Sequence, residues 1–436
     1  MILTSLFQRS GKAKNAAALK ELRQLCHRLI SEAGTANSAA IAGEVLAAYA
    51  KLSAETRVAF FQFLDTDLAP DTEQVLRAAK AYADRQDAER VLELQRVVEP
   101  PRQELLRRIN RAPGGTAGII AMRRDLLQLL HEQPRLRAVD SDFRHLLGSW
   151  FNPGFLHMQQ VDWTSSAALL EKIIQHEAVH AIKDWTDLRR RLQPDRRCFA
   201  FFHPQLPGEP LIFVEVALVR SIPRSIEQLI GDSAGSEAGI APRVAAFYSI
   251  SNCEPGLRGV SLGNFLIKRV AQQLCGEMPA LKRFCTLSPI PNLRAWLTQV
   301  DADALPEAWP ARVRSRLKNA LGTLRTRYGD DLEGVAQAVS ERALPVEDQV
   351  RLAQSAAIFL ARVSLTHGGD PVARFHLDNG ARLERINASA DVSLKGLRES
   401  LGVMVNYLYD LGAIEDNHER FVRGEVPCSR QIAAVT

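Results

Sequence analysis

From Ala16 to about Leu147, apolar residues recur three and four positions apart, as in Leu19, Leu22, Leu25 and Leu29 and again in Val45, Leu46, Tyr49 and Leu52. That period lays one apolar stripe along a helix, so the first third of the chain reads as helical. Pro70, the pair Pro100-Pro101 and the run Pro113-Gly114-Gly115 cut it into bundle-length pieces. After Trp150-Phe151-Asn152-Pro153-Gly154 the texture changes. A helix from about Ser166 to Arg191 is predicted first. Strand-like runs follow at Cys198 to Phe202, Leu211 to Leu218 and Val244 to Ser251, then a glycine-containing loop and a helix from about Leu262 to Leu274. A short strand, Phe284 to Leu287, ends at Ser288-Pro289-Ile290-Pro291. Strands, loop, helix and strand in that order predict an α/β core. Helical patterning returns between about Leu293 and Leu365. Near the end, Val372 to Leu377 and Ala381 to Ile386 flank Asp378-Asn379-Gly380, and Asn-Gly between apolar runs predicts a hairpin.

Composition narrows the class. The chain has 436 residues, 46% apolar and 24% charged, enough to bury a large core without disulfide or metal staples. No run of about 18 uncharged apolar residues is present, which argues against a bilayer-spanning helix. The net charge is 55 minus 50, or +5, and the cations are spread rather than gathered in a stripe, so nucleic acid is not an expected partner. Six cysteines without a C-x-x-C pair, and an N-terminus without an apolar core, predict a reducing compartment, the cytoplasm.

Three short motifs suggest three chemistries. His176-Glu177-Ala178-Val179-His180 fits H-E-x-x-H, which on a helix places two imidazoles one turn apart for zinc. The predicted helix runs on into Lys183, Asp184, Asp187 and Arg189 to Arg191, so solvated helix residues or a capping pair are the preferred reading, with no metal site. Gly259-Val260-Ser261-Leu262-Gly263 fits the G-x-S-x-G elbow of hydrolases, and Asp370 and His376 complete the order Ser, Asp, His. Residues 252–258 separate it from its strand, whereas an elbow joins strand directly to helix. The same stretch reads as a phosphate cradle, in which Gly256, Gly259 and Gly263 admit an anion close to the backbone and a helix opening at Leu262 offers free N–H groups.

Longer runs carry a resemblance. Pro207-Gly208-Glu209-Pro210-Leu211, Phe247-Tyr248-Ser249-Ile250-Ser251, Gly256-Leu257-Arg258-Gly259-Val260, Leu287-Ser288-Pro289-Ile290-Pro291 and the stretch Asp370-Pro371-Val372-Ala373-Arg374-Phe375-His376-Leu377-Asp378-Asn379-Gly380 together resemble the malonyl-CoA decarboxylases. The likeness runs from about residue 150 to residue 410, behind a similar helical N-terminal region. It implies an α+β protein: an all-helical domain over 1–150 serving as scaffold and oligomer surface, and a GNAT-like mixed α/β catalytic domain over 151–436. It also implies a homo-oligomer, dimer or tetramer, that converts malonyl-CoA to acetyl-CoA and CO2 without cofactor, metal, nucleic acid or membrane.

The resemblance places the CoA-binding stretch on Arg258, Gly259, Val260, Ser261, Leu262, Gly263 and Asn264, and the catalytic pair on Ser288 and His376, serine as proton acceptor and histidine as donor. Three positions depart from the family pattern: Ser261 stands where an acidic residue is frequent, and Glu384 and Ala388 where relatives carry tryptophan. The chemistry is self-contained, because the thioester carbonyl accepts as an enolate the electron pair left by CO2. The chain's tasks are orientation, exclusion of water and delivery of a proton. Competing readings are a GNAT-type acyltransferase, a serine hydrolase or thioesterase using Ser261, and a CoA sensor without activity.

Overall fold

The structure, a computed structural model, describes residues 2–31, 35–231, 241–260, 262, 266–366 and 369–436. It divides into two compact units: Met1–Leu156 with Phe202–Glu209 and Glu254–Ser261, and the remainder, His157–Phe201, Pro210–Cys253 and Leu262–Thr436.

The first unit is built from α1 (Ile2–Ser31), α2 (Thr35–Ala50), α3 (Ala54–Thr66), α4 (Thr72–Asp84), α5 (Ala88–Val98), α6 (Pro101–Asn110), α7 (Gly115–Leu129) and α8 (Arg137–Trp150). Local chemistry sets the boundaries. The side chains of Ser53, Asp71 and Asp87 accept backbone N–H groups at the starts of α3, α4 and α5, and Pro101 opens α6, where its missing N–H costs nothing. Phe60, Phe61, Phe63, Leu105, Ile119 and Phe143 make its core. The antiparallel pair α4 and α5 stands apart, with no buried residue in either helix and with Leu76, Leu92 and Val98 exposed.

The second unit carries an eight-stranded mixed sheet. Its strands are β1 (His157–Val161), β2 (Arg196–Phe202), β3 (Pro210–Val219), β4 (Val244–Asn252), β5 (Arg283–Thr286), β6 (Ser288–Pro289), β7 (Arg382–Asn387) and β8 (Met404–Tyr409). The order is β1-β2-β3-β4-β5-β8-β6, with β7 also on β8. Helices α9 (Ala167–His176), α10 (Trp185–Arg191), α11 (Glu227–Ile230), α12 (Leu266–Glu277), α13 (Leu293–Gln299), α14 (Ala311–Tyr328), α15 (Glu333–Ser340) and α16 (Val346–Arg362) are followed by α17 (Pro371–Asp378), α18 (Leu394–Ser400), α19 (Ile414–Val422) and α20 (Arg430–Ala433). The fold is thus helical first and mixed α/β second, and no helix among the described residues is long and apolar enough to cross a membrane.

Two expectations are corrected. The predicted hairpin at Asn379-Gly380 is a helix stop: 371–378 is α17, and only Arg382–Asn387 is a strand. Gly380 has φ +77°, its N–H reaches the Leu377 carbonyl at 3.0 Å, and Ala381 N–H reaches that of His376 at 3.0 Å, the two bonds of a left-handed C-terminal cap. Left-handed glycine serves helix caps as readily as hairpin turns. The predicted helix from Ser166 to Arg191 is likewise two helices, broken at 177–184.

The sheet's geometry around β5 positions the site. β4 and β5 run parallel, joined through α12, and pair from Val244↔Arg283 to Phe247↔Thr286. After a last bond from Leu287 N–H to the Phe247 carbonyl, 2.9 Å, the strands part: β4 runs on beside β3 to Asn252, while β6 pairs with β8.

Candidate active site

Ser288 begins β6, opposite Val405 on β8, in the same register that pairs Phe284 with Tyr409 and Cys285 with Leu408. Between β5 and β6 side chains replace the ladder at Thr286. Its Oγ1 accepts Tyr407 N–H at 3.3 Å, and its carbonyl accepts Asn406 Nδ2 at 2.9 Å. Thr286 and Ser288, two apart on a strand, share a face. Their hydroxyl oxygens are 2.9 Å apart and both residues are buried.

His376 comes from the last turn of α17. Asp370 starts that helix, its Oδ1 accepting Val372 and Ala373 N–H at 3.0 and 2.9 Å, with Pro371 fixed at the first helical position. The other oxygen of Asp370 accepts Asn292 N–H at 3.2 Å, which ties the chain just past Ser288-Pro289-Ile290-Pro291 to the helix that bears His376. His376 Nε2 then lies 3.0 Å from Ser288 Oγ, and Nδ1 lies 2.8 Å from the Tyr409 hydroxyl. The ring stacks on Tyr407 with centroids 4.5 Å apart. Among the described residues, the partners that the imidazole meets by hydrogen bond or ring contact are uncharged: Ser288, Tyr409, Tyr407 and Phe375. Burial alone pushes its pKa down to about 3, so the resting imidazole is neutral. The Ser, Asp, His order of a hydrolase does not become a triad, because the partner of Nδ1 is Tyr409 and Asp370 is spent on the α17 cap.

The other motifs come out differently. His176 ends α9, Glu177 caps it, and His180 lies beyond the helix, so the two imidazoles do not stand on one helical face. The Glu177 carboxylate takes the Ser249 hydroxyl at 2.7 Å and that of Ser251 at 3.1 Å, with Val179 and His180 N–H at 2.9 and 2.7 Å. It pins the far half of β4, beyond the last β5 pair. His180 is buried, which pushes its pKa down to about 3, helped by Arg191 and Lys395. Nearby, Glu215 is pushed up to about 8 by burial and by Glu177, against the pull of Arg191 at 3.0 Å.

In the loop assigned to CoA, Arg258 and Gly259 are exposed, Val260 is half-buried and Leu262 is buried, whereas Ser261, Gly263 and Asn264 lie outside the described residues. Gly259 has φ +77°, which a side chain would strain. Gly256 is required by packing: a Cβ there would meet the Ile120 carbonyl of α7, and the Gly256 carbonyl accepts the buried Arg123 at 2.8 Å. That glycine answers a helix backbone packed against it. Leu262 itself is not helical, α12 is described from Leu266 on, and residues 263–265 between them lie outside the described residues.

Thr286, Tyr407 and Tyr409 are not among the residues expected from the sequence, and Asp370, which entered there only through the hydrolase alternative, caps α17. The available signal was the β-prone run Met404 to Tyr409 with its two tyrosines two apart, hence on one face of a strand.

Comparisons with known proteins agree over most of the chain. Residues 68–151 match the malonyl-CoA decarboxylase N-terminal domain model and residues 154–435 the C-terminal domain model. The mitochondrial malonyl-CoA decarboxylase of Rattus norvegicus is 36% identical over 363 residues, 77% of this chain and 71% of its own, and that of Mus musculus is 36% identical over 354. Crystal structures of malonyl-CoA decarboxylases superpose on 95% of this chain and 99% of theirs: that from Rhodopseudomonas palustris at TM-score 0.79 and 41% identity, and that from Agrobacterium vitis at 0.80 and 42%. With both domain models matched in order and curated relatives covered over two thirds of their length, the chain belongs to the malonyl-CoA decarboxylase family of carboxy-lyases.

Proposed function

We propose that the protein decarboxylates malonyl-CoA to acetyl-CoA and CO2 through a thioester enolate, with Ser288 and His376 handling the proton. The observation that carries this reading is the buried Ser288–His376 pair, 3.0 Å apart, with uncharged Tyr409, Tyr407 and Phe375 against the imidazole. A malonyl carboxylate brought there loses water without gaining an ion-pair partner, which favours its departure as neutral CO2. The electron pair moves onto the thioester carbonyl. The same anionic charge raises the pKa of the neighbouring imidazole, so the substrate itself generates the acid that the resting site lacks. Ser288 then passes its hydroxyl proton to the α-carbon as His376 Nε2 replaces it, and solvent restores the imidazole.

Because the thioester is the electron sink, the reaction calls on no cofactor. We assign contact with CoA to Arg258 to Asn264, in a protein with a GNAT-like catalytic domain. We assign the protein to the cytoplasm, where buried thiols such as those of Cys26, Cys198 and Cys285 stay reduced. We place the homo-oligomer contact on α4 and α5. Their exposed Leu76, Leu92 and Val98 sit among charges of both signs, Glu73, Arg77, Lys80, Glu89 and Arg96, which two hairpins of identical copies can match in a four-helix bundle.

The test is purified protein with malonyl-CoA, CO2 and acetyl-CoA both quantified, repeated for His376→Asn. Equimolar products from the wild type and a loss of about 10² to 10⁴ in the variant are expected for a group that transfers the proton. Release of free CoA, or a full rate in His376→Asn, would sink the reading.

A further inference from the structure

We propose that Thr286 is a positioning residue for the Ser288–His376 pair: it accepts the Ser288 hydroxyl proton in the resting site and thereby sets the direction of the hydrogen bonds running through the imidazole. The catalytic consequence rests on the decarboxylase reading; the direction itself does not.

Ser288 Oγ has two partners, Thr286 Oγ1 at 2.9 Å and His376 Nε2 at 3.0 Å, and its geometry toward Thr286 is that of a donor. A serine has one hydroxyl proton. With that proton on Thr286, the contact with His376 is made by Nε2–H donating to Ser288 Oγ. A neutral imidazole carries a single N–H, so Nδ1 is bare and accepts the Tyr409 hydroxyl proton at 2.8 Å. The direction is therefore Tyr409 to His376, His376 to Ser288, Ser288 to Thr286. Each link follows from the one at Thr286.

Thr286 is held for this task. Tyr407 N–H, which a regular ladder would send to a carbonyl, donates to its hydroxyl oxygen at 3.3 Å, and Asn406 holds its carbonyl at 2.9 Å. The side chain is 1% exposed and β-branched, which leaves few rotamers. Thr286 thus parks the proton that Ser288 delivers and turns a Ser288 lone pair toward Nε2–H. In the reaction the Ser288 O–H bond breaks as the α-carbon takes the proton with the electron pair left by CO2. The Nε2–H bond breaks as Ser288 regains a proton, and the ring stays neutral because Nδ1 has by then taken one proton from solvent under the charge of the bound substrate. The reverse arrangement, with Ser288 O–H donating to a bare Nε2, would make His376 a base and Ser288 a nucleophile.

Thr286→Val keeps the shape and removes the acceptor, leaving Nε2 as the one acceptor of the Ser288 proton and reversing the direction. Thr286→Ser restores a hydroxyl and controls for folding. The readout is the ¹⁵N NMR spectrum of histidine-labelled full-length protein without substrate, His376 assigned by its disappearance in His376→Asn. The wild type and Thr286→Ser are expected in the Nε2–H tautomer and Thr286→Val in the Nδ1–H tautomer. With malonyl-CoA, kcat of Thr286→Val should fall by about tenfold or more, the scale of one buried hydrogen bond. KM should move by less than about twofold, and Thr286→Ser should recover most of the rate. An Nδ1–H tautomer in the wild type, an unchanged tautomer in Thr286→Val, or a reversal with no loss of kcat each overturn the proposal. Should the wild type not decarboxylate malonyl-CoA, the functional reading fails by itself and the tautomers still decide what Thr286 does.

Discussion

Tyr409→Phe isolates the link that orients the imidazole. The substitution removes one oxygen from a residue 3% exposed on β8, leaves the ring in place, and strips the buried His376 Nδ1 of its 2.8 Å partner. Leaving such a group unsatisfied costs about 1–3 kcal/mol. If the cost falls on the aligned state that transfers the proton, kcat drops by about 5- to 150-fold, at 1.4 kcal/mol per factor of ten. The Tyr409 hydroxyl reaches His376, so KM for malonyl-CoA should change little. Tyr407→Phe is the matched comparison, because the Tyr407 ring stacks on His376 while its buried hydroxyl has no partner among the described residues. Removing that hydroxyl relieves an unsatisfied group, so stability should hold or rise, and the loss of kcat should be at least about fivefold smaller than in Tyr409→Phe. The assay is the initial rate of acetyl-CoA formation at saturating malonyl-CoA, with thermal melting of both variants. Equal losses in the two, or an effect confined to KM, would refute the claim that the Tyr409 hydroxyl orients the imidazole of the pair.

Further outcomes follow from the same contacts. His376 and His180 are held near 3 in the folded protein against 6.5 ordinarily, so the unfolded chain binds protons first, and the stability present above pH 6.5 is lost as pH falls toward 3. Each fully titrating histidine contributes about 1.4 kcal/mol per pH unit in that window. Thermal melts between pH 7 and 4.5 should therefore steepen downward in the wild type and less so in His376→Asn; parallel curves contradict the assignment. Glu177→Ala strands the hydroxyls of Ser249 and Ser251 and two backbone N–H groups, and should cost about 3 kcal/mol or more by urea denaturation, with Glu177→Gln milder. Leu76→Asp with Leu92→Asp on the exposed hairpin should lower the assembly state measured by sedimentation, and an unchanged mass would remove α4 and α5 as the contact between copies.

Tertiary structure decided where local signals were shared by two outcomes. Asn379-Gly380 supplies a left-handed residue that suits a hairpin or a helix cap, and the bonds back to Leu377 and His376 chose the cap. The H-E-x-x-H spacing presumes a continuous helix, whereas Glu177 finds hydroxyls 72 and 74 positions away on β4 and leaves the helix for them.

What the chain determined by itself is what depends on neighbours in sequence: the helical N-terminal third, the strand–helix–strand order about β4 and β5, and, through its longer motifs, Ser288 and His376 as the pair to examine. Their meeting is another matter. The two lie 88 positions apart, and they come within 3.0 Å because β6 keeps register on β8 and Asp370 fastens the start of α17 to the backbone of Asn292. Thr286 and Tyr409 entered the site by the same route. Hydrogen bonds between distant strands set their places, and no local period in the amino-acid sequence encodes those bonds.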